Sequence, residues 1–172
     1  MPSKIYPNKQ LYLRKLSPAD GRDIFEMLKK IKAEENAFTN PVYTMDFVQF
    51  KHWLVQQDQW AQNKGLPPGF VGQSLYWLFN KSTPVGVGKI RYALTTSSRK
   101  KGGNIGYAIS SLYRGKGYGN EILKLLLLEA KNLKLKEILL TVEKYNYPSK
   151  KVIEKNGGIL FDETDERWYF NF

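Results

Sequence analysis

Residues 105–119 read Ile105-Gly106-Tyr107-Ala108-Ile109-Ser110-Ser111-Leu112-Tyr113-Arg114-Gly115-Lys116-Gly117-Tyr118-Gly119, and this stretch decides the fold class. Ile105, Tyr107 and Ile109 alternate with small residues, as on a strand with one bulky face. A long helix is expected over about 118–133, and its leucine run at 125–128 predicts heavy burial. Between strand and helix, three glycines alternate with side chains. Glycine accepts positive φ and lets a ligand approach the backbone closely. The first N–H groups of a helix have no intrahelical acceptor, and the macrodipole adds positive potential there. Together these features make an anion site suited to phosphate, to which Arg114 and Lys116 add full charges. The competing reading is a strand-to-helix turn that binds nothing, although three glycines are costly unless something requires them. A Walker loop is excluded because no GxxxxGK followed by Ser or Thr occurs. The dinucleotide fingerprint fails because Asn120 stands where its third glycine belongs.

Outward from this stretch, strand and helix signals alternate. Leu11-Tyr12-Leu13 reads as a strand, and Ser17-Pro18-Ala19-Asp20 as a helix start with Ser17 capping and Pro18 at the first turn. Ile24, Leu28 and Ile31 share one face of that helix. A second helix is expected after Thr44, carrying Phe47, Phe50 and Leu54, and Lys64-Gly65-Leu66-Pro67-Pro68-Gly69 breaks it. Strands follow at Leu75-Tyr76-Trp77-Leu78-Phe79 and Val85-Gly86-Val87-Gly88-Lys89-Ile90, then a basic turn at 99–103. Ile138-Leu139-Leu140-Thr141-Val142 is a strand covered on both faces. A shorter helix opens near Pro148 and stops at Asn156-Gly157-Gly158. Ile159-Leu160-Phe161 and Trp168-Tyr169-Phe170 finish as strands. This order predicts an α/β (α+β) chain with a mixed sheet flanked by helices, as a single domain over 1–172.

The composition agrees with one ordinary domain of 172 residues, 42% apolar and 25% charged. There are no cysteines, so disulfides, thiolate metal sites and a cysteinyl-acyl intermediate are excluded. No apolar run approaches the roughly 20 residues that span a bilayer. Met1-Pro2-Ser3-Lys4-Ile5-Tyr6-Pro7 lacks the apolar stretch of a signal peptide, so a soluble, cytoplasmic protein is expected. The net charge of +11 is compatible with nucleic acid, an acidic membrane face or a multiply phosphorylated small ligand, and equally with a solvated basic surface. The basic residues are dispersed, with short clusters at Arg99-Lys100-Lys101 and Lys150-Lys151. The expectation is therefore no nucleic acid and no membrane partner.

Arg114-x-x-Gly117-x-Gly119 matches the (Gln/Arg)-x-x-Gly-x-(Gly/Ala) signature of the GNAT superfamily of N-acyltransferases, which the chain resembles over about residues 73–172. Ile109 five residues before the arginine, Asn146-x-x-Ser149, and Glu154-Lys155-Asn156-Gly157-Gly158 extend the likeness. Gly102-Gly103-Asn104-Ile105-Gly106-Tyr107 is similar to a bacterial acetyltransferase subgroup. Over residues 1–72 only the element order agrees. The resemblance implies a GNAT-like fold with a mixed, mostly antiparallel sheet, whose strands at 105–110 and 138–142 splay apart. It implies acetyl-CoA as cosubstrate and no metal. The pantetheine arm would bond the backbone near Ile109, Ser110 and Ser111, and amides from Gly115, Lys116, Gly117, Tyr118, Gly119 and Asn120 would hold the pyrophosphate. Asn146 would face the pantetheine or thiol end with Ser149 nearby, though capping of the helix at Pro148 competes. Lys150 and Lys151 are candidates for the 3′-phosphate, with solvated lysines the competing reading. Homodimers are common in this superfamily.

Without cysteine, an amine attacks the acetyl thioester directly. Glu143 is the first candidate base because it ends the strand beside the channel, and Tyr107, acting through water, is an alternative. Each has a bland reading, as a surface carboxylate and a core ring. The superfamily's usual acid, a tyrosine on the last helix, falls at Ile153 here. Tyr145, Tyr147 or solvent would have to substitute. His52 is the single histidine and is expected on a helix face away from the chemistry. The acceptor pocket in this superfamily comes from the first helices and the loop near 66–72, where Phe38, Tyr43, Trp53, Trp60 and Phe70 are candidate lining residues. Basic charge favours an acidic or neutral acceptor over a polycation. Competing classes are a CoA-binding regulatory module without turnover and a nucleic-acid binder. Acetyl-CoA at about 100 times its Kd should stabilise the fold by about 2.7 kcal/mol in a thermal-shift titration, and ATP should not. The reverse pattern would remove both CoA-dependent readings.

Overall fold

The computed structural model describes residues 10–35 and 38–172. The chain runs β1 (Leu11–Lys15), α1 (Arg22–Lys29), β2 (Glu34–Glu35), β3 (Phe38–Thr39), α2 (Phe47–Ala61), β4 (Gln73–Asn80), β5 (Thr83–Arg91) and α3 (Thr96–Lys100). It continues through β6 (Ile105–Ile109), α4 (Tyr118–Asn132), β7 (Leu139–Glu143), α5 (Tyr147–Lys155), β8 (Ile159–Glu163) and β9 (Arg167–Asn171). The stretch Met1 to Pro7, which lacks the apolar run of a leader, lies outside the described residues. Among those residues no helix is long and apolar enough to cross a membrane.

The strands form two main sheets, ordered β1-β4-β5-β6 and β7-β9-β8, with every hydrogen-bonded pair antiparallel. The mixed α/β architecture with helix-flanked antiparallel sheets is the one expected. The first sheet has a core on each face. Helices α1 and α2 cover Leu75, Trp77, Phe79 and Val87, while α4 covers Tyr76, Leu78, Val85 and Ile90. Val85 and Val87 reach opposite faces because the β4–β5 register shifts at Leu78/Phe79, and an extra residue inverts the alternation.

Several local expectations are corrected. Ser17 and Pro18 do not start α1, whose N-cap is Gly21. They form a turn in which the Ser17 N–H donates to Asp20 Oδ2 at 2.9 Å and the Ala19 N–H to Ser17 Oγ at 3.1 Å. The cause is tertiary. Asp20 is 3% exposed, accepts the Trp77 indole N–H at 2.6 Å and lies 2.6 Å from the Arg14 guanidinium. Its carboxylate is held in the core instead of serving the helix dipole. Residues 99–103 are the end and exit of α3, which a Thr95–Ser98 capping box starts. Leu125, Leu126 and Leu127 are buried, but Leu128 is 40% exposed. A helix with one apolar stripe cannot turn four consecutive residues inward. The β2–β3 ribbon was not foreseen.

Replacing Asp20 by Ala leaves the Trp77 indole and the Ser17 amide without their acceptor and Arg14 without its counter-charge. Urea unfolding of Asp20→Ala should show a loss of about 3 kcal/mol.

Candidate functional site

Among the described residues the two sheets are joined main chain to main chain at one point. The Asn104 N–H donates to the Leu139 carbonyl at 2.7 Å, and the Leu139 N–H donates to Asn104 Oδ1 at 2.9 Å. Asn104 is buried, and its carbonyl accepts the Arg91 N–H at 2.7 Å, so it also anchors β5. The preceding Gly103 has φ +62°, and a Cβ there would collide with the Leu139 carbonyl. From this junction β6 and β7 leave by their N-terminal ends, and no ladder joins them farther on among the described residues. Ser110 donates its amide to Val85 on β5 at 3.0 Å. By alternation, the main-chain groups of Tyr107 and Ile109 lie on the opposite edge, facing the gap. Gly106 and Tyr107 line one wall of a narrow cleft of about 50 Å³, and Leu140 to Val142 line the other. Ser149, Ile153 and Phe38 border it.

The cleft leads to the start of α4. Gly117 is the N-cap, with φ +84° and no capping side chain. Among the described residues the amides of residues 115–119 donate to no protein acceptor, while those of Asn120 and Glu121 reach the Gly117 carbonyl at 3.1 and 3.3 Å. A run of free N–H groups thus stands at the positive end of a fifteen-residue helix. Arg114 is not among its donors. Its Nε–H donates to the Ile109 carbonyl at 3.0 Å, and its two terminal nitrogens grip Glu35 at 2.6 and 2.7 Å. That fork holds the Glu35 carboxyl below its usual range and ties β2 to the loop. Lys116 extends over the Tyr113 ring, 5.7 Å from its centre. The Tyr118 hydroxyl accepts from Asn80 at 2.8 Å, and a Cβ added at Gly119 would just touch Tyr107 and Val152. Ser110 is buried with its Oγ unpaired among the described residues, and the Ser111 amide makes a long 3.3 Å bond to the Lys30 carbonyl.

The proposed chemistry-bearing side chains divide sharply. The Tyr107 hydroxyl lies 2.9 Å from Ser149 Oγ, bridging the cleft from β6 to α5. Burial pushes the Tyr107 phenol up to about 12, a rise that Ser149 partly offsets. Asn146 caps α5 by accepting the Ser149 amide at 3.2 Å, which is the competing role named for it above. Glu143 is paired with Arg167 at 3.1 Å and lines neither the cleft nor the cavity described below. Tyr145 is 84% exposed, and the Tyr147 ring packs edge-on against Trp168. Neither lines the cleft. Ile153, where the superfamily's tyrosine falls, is buried against it. Lys150 lies over Trp168 and pairs with Glu154 at 3.3 Å, and His52 is exposed on α2.

Phe38 also borders a second space, a cavity of about 570 Å³ between α2, the 66–72 loop and the β4–β5 face. Trp53, Trp60 and Phe70 line it as anticipated, but Tyr43 does not. Its cations, Lys89, Arg91 and Lys101, were missed. Val87, Lys89 and Arg91 alternate along one face of β5, so a signal existed: two charges continue the row that buries Val87. The Lys89 ammonium sits 5.4 Å from the Phe38 ring, and burial, with Arg91 adding repulsion, brings it down to about 7.

A family model described as an acetyltransferase (GNAT) domain matches residues 10–159. The chain belongs to the GNAT acetyltransferase family. Family membership makes it an acyl-CoA-dependent N-acetyltransferase. Comparison with curated protein sequences finds no match. Among solved structures, the GNAT chain is similar to RimL, a ribosomal L7/L12 alpha-N-protein acetyltransferase, in complex with coenzyme A. The TM-score is 0.72 at 15% identity, over 96% of this chain and 94% of that one. It is also similar to the microcin C7 self-immunity acetyltransferase MccE with acetyl-CoA and AMP, with a TM-score of 0.72 at 15% identity over 100% and 97% of the chains. A third likeness is to Campylobacter jejuni PseH with acetyl coenzyme A, with a TM-score of 0.62 at 17% identity over 94% and 97%. At these identities the likeness concerns the fold.

Lys89 gives a pH signature with a definite sign. Its folded-state value of about 7 lies below the unfolded value of about 10.4. Across that window the unfolded chain binds the extra proton, so stability should rise with pH. Urea titrations at several pH values should show this rise in the wild type and not in Lys89→Met.

Proposed function

We propose that the protein transfers the acetyl group of acetyl-CoA directly to the amine of a small-molecule or peptide acceptor. The observation that carries this reading is a continuous path: free amides at the start of α4, a β6 edge that no strand pairs among the described residues, and a large cavity meeting the far end of the gap at Phe38. The amides of residues 115–119 receive the pyrophosphate, supported by Lys116. The Ile109 amide and the Tyr107 main chain guide the pantetheine, the Ile109 carbonyl being held by Arg114, with Ser110 and Ser111 at its mouth. The thioester lies near Tyr107 and Phe38, and the amine enters from the cavity.

The amine nitrogen attacks the thioester carbon, the C–N bond forms, the C–S bond breaks, and the amine proton leaves to water. Among the described residues no carboxylate lines the cavity, so neutral amine is produced by another route. The cationic wall of Lys89, Arg91 and Lys101 disfavours an ammonium beside it and lowers the acceptor's own pKa. Main-chain N–H groups of the open β6 edge polarise the carbonyl. The Tyr107 hydroxyl, oriented by Ser149, donates a hydrogen bond to the departing thiolate. Complete proton transfer is uphill, because a thiol near ~8.5 is the stronger acid. The α5 tyrosine of relatives is thus replaced from the opposite wall. CoA binding without turnover is the outcome that would overturn the direct-transfer reading. Thiol release with an amine panel separates the two.

Tyr107→Phe should lower kcat by about 10- to 100-fold, the value of one hydrogen bond to a charged group, while KM for acetyl-CoA stays within about twofold. An unchanged kcat would remove Tyr107 from the mechanism.

A further inference from the structure

We propose that the acceptor is an acidic amine, a molecule with a flat apolar body whose carboxylate or phosphate docks on Lys89 and Arg91 with Lys101 at the rim. The inference rests on the acetyl-transfer reading and names its substrate class. The cavity is lined by three cations and, among the described residues, by no Asp or Glu. Elsewhere three arginines, one buried and two more exposed, have carboxylate partners. Arg167 is buried and holds Glu143, Arg114 holds Glu35, and Arg14 approaches Asp20. Lys89 and Arg91 have no carboxylate partner among the described residues. Lys89 has the Phe38 ring, and one Arg91 nitrogen donates to the Gly103 carbonyl at 3.0 Å. A desolvated charge without a counter-charge is costly, and a ligand anion offsets that cost.

The geometry also fixes where the acid lies. Lys89 pairs across the ladder with Gly106 on β6, the residue that faces Phe38 at the boundary with the cleft. Arg91 follows two residues along the strand, about 7 Å farther from the reacting centre. An amine at the boundary therefore has its acid within a few bonds of itself, or slightly beyond. Trp53, Trp60 and Phe70 complete the wall, with Trp60 and Phe70 at 5.7 Å between ring centres, and they suit a planar body. A polyamine brings a second positive charge to this wall and is rejected. The low proton affinity of Lys89 in the free protein agrees with a site short of negative charge, and an arriving anion reverses it.

The test uses full-length protein saturated with CoA, so that the helix-start anion site is filled, and calorimetry with tyramine, tyrosine and tyramine O-phosphate. At least one acidic probe should bind about tenfold or more tightly than tyramine. At about pH 8 its binding should take up protons, seen by comparing buffers of different ionisation enthalpy. Lys89→Met and Arg91→Met should each remove most of that preference while CoA affinity is unchanged. Equal or tighter binding of tyramine, no binding of any probe, or a preference that survives both variants overturns the inference. The initial CoA titration keeps the two readings apart. A protein that binds CoA but shows no acid preference loses only the substrate class. One that ignores CoA yet binds the acidic probe loses the acetyl-transfer reading instead.

Discussion

Asn104 and Leu139 hold two sheets together through a pair of hydrogen bonds at one end of β6 and β7, and Gly103 is there because no side chain fits against the Leu139 carbonyl. That main-chain contact, with the Gly102 amide donating to Thr141 Oγ1 at 2.8 Å beside it, sets the opening of the site. With a full ladder between β6 and β7 the sheet would be continuous and the polar edge consumed. With no contact, the two edges would be unregistered. One pinned end gives a wedge with a fixed opening, and backbone groups on its β6 wall face the space that a ligand can enter.

The wedge directs attention to both of its ends. At one, α4 begins with Gly117 in the left-handed region and no capping side chain, so its dipole and free amides face outward. At the other, Phe38 separates the wedge from an aromatic and cationic cavity. The hydroxyl that borders the wedge comes from Tyr107 on β6, and the α5 wall presents Ile153, which has none. One site on two facing walls can supply a donor from either, provided that the atom reaches the same place. Here burial and the Ser149 contact set the Tyr107 hydroxyl.

The electrostatics of the chain are uneven in a useful way. Its charge of +11 is spread along the sequence, and most of the cations near carboxylates are spent on them. The cavity cations are not. A pair of like charges carried on one strand face against aromatic rings costs stability, and such costs persist at sites that bind something. That contrast, more than the total charge, distinguishes a ligand-binding wall from a basic surface serving solubility.

The sequence by itself determined the strands and the two longer helices from Gln73 onward, the glycine-rich start of α4 and the family, because glycine spacing and strand alternation are local properties written in neighbouring residues; the short α3 escaped it. It also singled out the Tyr107 and Ser149 positions, and Phe38, Trp53, Trp60 and Phe70. Only the tertiary structure decided that Glu143 is committed to Arg167, that Arg114 belongs to Glu35, and that Tyr145 points to solvent. Each depends on a partner 24 or more residues away, or on the absence of one. The start of α1 was misplaced for the same reason: Asp20 obeys Trp77, 57 residues distant, and not the helix beside it. Lys89 and Arg91 looked like strand charges in the one-dimensional pattern. Their meaning appeared when α2 and the 66–72 loop closed over them, since burial is a property of packing and charge in a chain is not.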